Sequence, residues 1–155
     1  MVLESKPRVF LDSNVIFSGL CSPQGAPGII LDRFIKGGVS VVVSQQVLEE
    51  VIRTIKEKLP EALPALRRLL VSVPPEVVAD PKPVEIERWT RRLSVADAAI
   101  LAAAVAAQPD YFLTGDNHFL ENSGIGEETG LHIVTPAQFL KLLEDEEVKH
   151  ERRRP

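Results

Sequence analysis

Apolar positions along the chain alternate between short β-prone runs and helical stripes. Arg8, Val9, Phe10 and Leu11 form the first run, which ends at Asp12 and reads as a buried strand. A loop marked by Pro23, Gly25 and Pro27 follows. Ile29, Ile30, Phe34 and Ile35 then recur at helical spacing until Gly37 and Gly38 stop the helix. Residues 39–43 read as the second strand. Ser44 stands where it caps a helix whose Val47, Leu48, Val51, Ile52, Ile55 and Leu59 share one face, and Pro60 and Pro64 punctuate its end.

Beyond it, a helical piece over residues 63–70 leads to a candidate third strand at 71–73 and a proline-rich connection from Pro74 to Pro83. Ser94 opens a long helix over residues 95–107, almost wholly Ala, Ile, Leu and Val after Asp97. A helix apolar on every side is a buried one, and small alanines let it lie close to a sheet. Pro109 ends it. Residues 111–114 predict another strand, 117–121 a short helix, then come a Gly-rich loop, a final strand at 131–134 and a helix from Pro136. Strands alternating with helices imply right-handed crossovers and an α/β fold, with a mostly parallel sheet covered on both faces. One domain is expected over residues 1–148, with a basic tail at 149–155 that frays.

Composition narrows the function. No apolar run approaches the roughly 18 residues that cross a bilayer, and residues 1–8 carry no apolar signal region, so the expected location is the cytoplasm. Cys21 is the single cysteine, and the three histidines lack paired spacing, which argues against a zinc site. A net charge of −4 leaves no bulk attraction for nucleic acid, so any such role must be local. Basic residues cluster at Arg53, Lys56 and Lys58, at Arg67 and Arg68, at Arg88, Arg91 and Arg92, and in the tail; solvated helix faces account for most such clusters.

The acids carry the chemistry. Ligands of an open parallel sheet bind beyond the carboxyl ends of its strands. Asp12 ends the first strand and Asp116 lies two residues past Thr114 at the end of a later one. Glu50 sits near the start of the helix after the second strand, with Glu49 beside it on the same polar side, and Asp97 near the start of the alanine-rich helix. All four sites belong at one edge of the sheet. Carboxylates crowded there repel one another and raise some pKa values until a cation intervenes, and an all-oxygen set favours a hard ion, Mg²⁺ or Mn²⁺. Such an ion suits hydrolysis of a phosphodiester. Each acid also has a plainer role: Asp12 and Asp116 in turns, Asp97 three residues after Ser94 in a capping box.

At these residues the chain resembles the PIN-domain family, specifically the nucleases that act as toxins of toxin-antitoxin pairs. Val9-Phe-Leu-Asp12-Ser-Asn14-Val-Ile is similar to its first motif and Ser44-Gln-Gln-Val-Leu-Glu-Glu50-Val51 to its second, where the match selects Glu50 over Glu49. Asp97-Ala-Ala-Ile-Leu and Asp110-Tyr-Phe-Leu-Thr114-Gly-Asp116 resemble the third and fourth in order and spacing. The resemblance runs from about Arg8 to Leu140 and is poor over residues 81–93. It implies a three-layer α/β/α Rossmann-like domain, Mg²⁺ or Mn²⁺ held by Asp12, Glu50, Asp97 and Asp116, support from Asn14 and Thr114, Asp110 outside the site, cleavage of single-stranded or structured RNA, an antitoxin partner and homodimers. Two competing functions stand beside it. One is a non-catalytic RNA- or protein-binding module with the same fold. The other is phosphoryl transfer through an aspartyl intermediate at Asp12, disfavoured because no second Asp lies two residues on and no lysine follows a later strand end.

Overall fold

A computed structural model describes residues 6–122 and 124–153. β1 (Arg8–Leu11) leads through α1 (Ser13–Cys21) and α2 (Ala26–Ile35) to β2 (Ser40–Ser44). α3 (Gln45–Lys58), a 3-10 turn at Pro60–Ala62 and α4 (Leu63–Ser72) connect β2 to β3 (Glu76–Val78). α5 (Pro83–Glu87) and α6 (Val95–Ala107) precede β4 (Tyr111–Leu113). α7 (Asn117–Leu120), α8 (Ile125–Thr129), β5 (Ile133–Val134) and α9 (Pro136–Arg152) complete the order.

The described strands form one sheet ordered β3-β2-β1-β4-β5, with every neighbouring pair parallel. The chain moves outward from β1 to β3, then returns to lay β4 on the other side of β1. That reversal makes the gap between the ends of β1 and β4 the topological switch point, where a crevice opens because successive crossovers diverge to opposite faces.

Side chains alternate across the sheet with the two-residue period of a strand. Leu11, Val41 and Val43 meet Ile16, Leu31, Phe34, Leu48 and Leu66 on one face. On the other, Phe10 packs edge-on to Phe112 at 5.5 Å, and Phe112 on Phe119 of α7 at 5.1 Å. Both faces are therefore covered, as an α/β/α three-layer fold requires, and the central strand residues Val9, Phe10, Leu11, Phe112 and Leu113 are fully buried.

Three expectations change. The segment read as a loop after β1 begins with α1, a short helix rich in Ser, Asn, Gly and β-branched residues with weak intrinsic preference for helix. Tertiary packing makes it: Asp12 caps it, Val15 and Ile16 are buried, and a Cβ on Gly19 would lie 2.6 Å from Leu31, so glycine permits the close approach of α1 and α2. The strand expected at residues 71–73 is instead the end of α4 and its C-cap, with Val71 facing solvent, while β3 forms at Glu76–Val78 inside the proline-rich connection by pairing with β2. Pairing, rather than β-branched content, decided that strand. The Gly-rich loop contains α8, anchored by fully buried Ile125 and bounded by Gly124 and Gly130 at φ of 95° and 75°. α9 continues through Lys149 to Arg152, into the tail expected to fray; Arg154 and Pro155 lie outside the described residues, as do the first five of the eight that carry no apolar signal region.

α6 runs from Val95 to Ala107 as the apolar pattern predicts, with Ala98, Ala103 and Ala104 buried. Ala104→Leu should lower the unfolding free energy by about 1–3 kcal/mol, because a filled contact has no room for three added carbons. Urea denaturation checks this, and an unchanged midpoint would show that α6 does not pack closely.

Candidate active site

Asp12 follows the last residue of β1, and the backbone carries it directly into the crevice at the switch point. Its amide donates to the Leu113 carbonyl of β4 at 3.0 Å, which ties the two strand ends together. The carboxylate is 2% exposed and accepts three short hydrogen bonds: from the Ser13 amide to Oδ1 (2.8 Å), and from the Thr114 hydroxyl (2.8 Å) and the Asn14 carboxamide (2.9 Å) to Oδ2. An ionised carboxylate offers about four lone-pair sites, so Oδ1 keeps capacity for one more partner.

Burial pushes the Asp12 carboxyl up to about 6, against the lowering effect of the Thr114, Ser13 and Asn14 donors, and the charge of Glu50 adds to the rise. Crowding of acids was the expected cause. Desolvation is the larger one, and Glu50 is secondary.

Short side chains link the remaining acids to this carboxylate. Ser13 donates its hydroxyl to Glu50 Oε2 at 2.9 Å and lies 3.5 Å from Asp12 Oδ1, so it bridges the two. Ser44 caps α3 through the Val47 amide, which sets the helix rotation; Glu50 turns inward, half-buried, while Glu49 is exposed. Thr114, wholly buried, donates to Asp12 and accepts from the Asp116 amide at 3.0 Å. Asn14 also accepts from the Gly115 amide at 2.9 Å and so fastens the turn after β4 to the start of α1.

Asp97 and Asp116 meet at the N-termini of α6 and α7. The Asp97 amide donates to the Ser94 hydroxyl at 3.1 Å, as the capping pattern requires, but its carboxylate pairs with the His118 ring at 3.1 Å. Asp116 caps α7 by accepting from the His118 amide at 2.9 Å, and its carboxylate lies 3.5 Å from the same ring. The Asp97 hydrogen bond, then the charges of Asp116 and Asp97, raise the pKa of the exposed His118 above 6.5.

One network thus connects all four predicted acids, through Ser13, Thr114 and His118. Within it, Asp97, Asp116 and His118 are the described residues whose ligand atoms all lie within 4.8 Å of one another, while Asp12 and Glu50 fall outside that group and meet through Ser13 as a separate pair. Asp110 stands apart: it accepts from the Arg8 amide at the amino end of β1, the opposite rim.

Sequence spacing missed two members. The histidines lack the paired spacing of a zinc site, yet His118 follows Asp116 by two residues at a helix start, where both face one rim. Ser13 follows a strand-ending Asp and carries no signal of its own, and its bridging role depends on where α3 brings Glu50.

A family model described as PIN domain matches residues 8–118, well over half of the chain. No curated protein sequence matches closely enough to count as a relative. Among solved structures, PAE2754 from Pyrobaculum aerophilum superposes with a TM-score of 0.64 at 16% identity, covering 90% of each chain. VapBC2 from Rickettsia felis, bound to a DNA fragment from its promoter, gives 0.62 at 13%, covering 83% of this chain and 98% of that one. VapC20 from Mycobacterium tuberculosis, a sarcin-ricin loop cleaving toxin, gives 0.56 at 18%, covering 74% of this chain and 95% of that one.

Because its folded value lies above 3.8, the Asp12 carboxyl favours the folded state most below about pH 4 and loses that contribution as pH rises to about 6. Between pH 4 and pH 7 the metal-free wild type should therefore lose on the order of 2–3 kcal/mol relative to Asp12→Asn. Denaturant titrations of both proteins across that range test it; a constant difference between them would mean that the carboxyl ionises at its ordinary value.

Proposed function

The chain belongs to the PIN-domain family, and from that premise we propose that it is a divalent-metal-dependent endoribonuclease that cleaves single-stranded or structured RNA. Mg²⁺ or Mn²⁺ would be held by Asp12, Glu50, Asp97 and Asp116, with Asn14 and Thr114 as supports. The observation that carries this reading is the buried Asp12 carboxylate, hydrogen-bonded on both oxygens, linked to Glu50 through Ser13 and to the Asp116 amide through Thr114, with Asp97 joined to Asp116 through His118. Burying a carboxylate that no Lys, Arg or His pairs among the described residues is costly, which supports a bound cation as its partner. Hard oxygen donors with one imidazole at the rim fit Mg²⁺ or Mn²⁺.

A divalent cation bound there lends positive charge to a phosphodiester under attack. The chain's own residues prepare that event. Thr114 and Asn14 fix the rotamer of Asp12 by donating to Oδ2, and Ser13 orients Glu50 toward the same space. Asp97 and Asp116 share His118, so their spacing is set before any ligand arrives. Preorganised charge of this kind costs no rearrangement at the moment of reaction.

The likeness to the M. tuberculosis toxin supports a toxin role here, with an antitoxin protein as partner. Homodimers and a cytoplasmic location accompany that role in the proposal. Among the described residues no helix is long and apolar enough to cross a membrane.

Purified protein with Mg²⁺ or Mn²⁺ should cut RNA in a reaction that EDTA stops. Asp12→Asn and Asp97→Asn should abolish cutting, and Thr114→Val should slow it by on the order of 10–100-fold, as loss of an outer support does. Equal activity in the Asp→Asn variants would identify a contaminating nuclease. Mn²⁺ binding with no turnover on any RNA would leave a non-catalytic RNA- or protein-binding module instead.

A further inference from the structure

Beside the Asp97, Asp116 and His118 group lies an open cleft of about 440 Å³, within the roughly 300–1,000 Å³ usual for ligand sites. The connection from α5 to α6 contributes Arg92 and Ser94 to its wall, and the region around α7 contributes Asn117, His118 and Asn122. Most of these present hydrogen-bond donors, against the single acid Glu121 among the described lining residues. The acid network does not use Asn117 or Asn122: the Asn117 carboxamide makes no hydrogen bond among the described residues, and that of Asn122 reaches only the Arg92 carbonyl at a long 3.4 Å.

The arginines beside this cleft are arranged differently from a solvated helix face. Trp89 is 2% exposed, and the guanidinium groups of Arg88 and Arg92 lie 4.8 Å and 5.2 Å from its ring centroid. Arg92 also pairs with Glu128 of α8, so its head is held on two sides at the mouth of the cleft. A stacked guanidinium loses little freedom on meeting an anion, which suits phosphate recognition. Arg91 is exposed and has no hydrogen bond, ion pair or ring contact among the described residues. Three guanidinium groups within five residues thus lead directly into Ser94, the cap of the helix that carries Asp97.

A chain of net charge −4 with an acidic reaction centre needs local cations to hold a polyanion. We propose that this cleft is a nucleotide subsite: it takes the RNA residue adjoining the scissile phosphate, with Arg91 and Arg92 on backbone phosphates and the Asn117 and Asn122 carboxamides on the base edge. Carboxamides offer a donor and an acceptor together, the pairing that base edges of unstacked RNA require. The assignment rests on the ribonuclease reading of the adjoining acids, and it gives the backbone-phosphate contacts to residues 81–93, the stretch where the motif resemblance is poor, and the base contacts to the region around α7.

Fluorescence anisotropy with a fluorescein-labelled single-stranded RNA of mixed sequence tests it, using the full chain in the Asp12→Asn background with Mg²⁺ present. Adding Arg91→Ala should weaken binding on the order of tenfold and reduce the slope of affinity against salt by about one. In the active chain, Asn122→Ala and Asn117→Ala should flatten the preference for the base beside the cut. RNA binding with this arginine and salt dependence, but without cleavage by the wild type, would uphold the subsite while sinking the ribonuclease reading. Cleavage by the wild type with binding, salt slope and base preference all unaltered in Arg91→Ala, Arg92→Lys and the asparagine variants would overturn the subsite alone. Absence of any RNA binding would overturn both.

Discussion

The site is governed by one carboxylate, Asp12, buried at the point where the strand order of a parallel sheet reverses. Asp12 is delivered there by β1, and its burial follows from the core that β1 itself forms at the centre of the sheet. The molecule offsets this cost with donors from three neighbours, and the carboxyl still sits near 6. Local hydrogen bonds therefore compensate only part of the desolvation, which leaves the charged form dependent on something further.

Geometry spreads outward from that residue. Thr114 and Asn14 couple Asp12 to the end of β4, so the same contacts that hold the carboxylate also fix the turn that presents Asp116. Ser13 couples it to α3, and His118 couples Asp116 to α6. Helix starts carry the network: Asp12 caps α1, Asp116 caps α7, and Asp97 lies in the first turn of α6. Their backbone amides and partial positive charges favour negative groups there, whether carboxylate or phosphate. The caps and the candidate ligands are the same residues, so the structural and chemical roles of Asp12 and Asp116 are not alternatives.

Much of this was legible in the sequence because it depends on strand ends. Asp12 and Asp116 are located by the switch-point rule as soon as the strands are, and Asp97 by its capping spacing from Ser94. Choosing Glu50 over Glu49 needed the motif match, since both lie on the polar side of α3; the structure turns Glu50 inward and Glu49 to solvent. What escaped detection depends on contacts between distant segments. α1 lacks helical propensity and exists by packing on α2, β3 is defined by its ladder with β2, and the bridging roles of Ser13 and His118 arise only when α3 and α6 converge. Trp89 likewise looks ordinary in a stretch of charged residues until its burial draws two arginines over the ring.

On the proposed reading, the acid network holds a divalent cation. Crystals grown with Mn²⁺ and measured at its absorption edge test it most directly. The predicted result is an anomalous peak in the crevice at the ends of β1 and β4, with oxygens of Asp12 and at least one of Asp97 and Asp116 at roughly 2.0–2.3 Å. A crevice without such a peak, in a crystal where Mn²⁺ orders elsewhere on the chain, would contradict it.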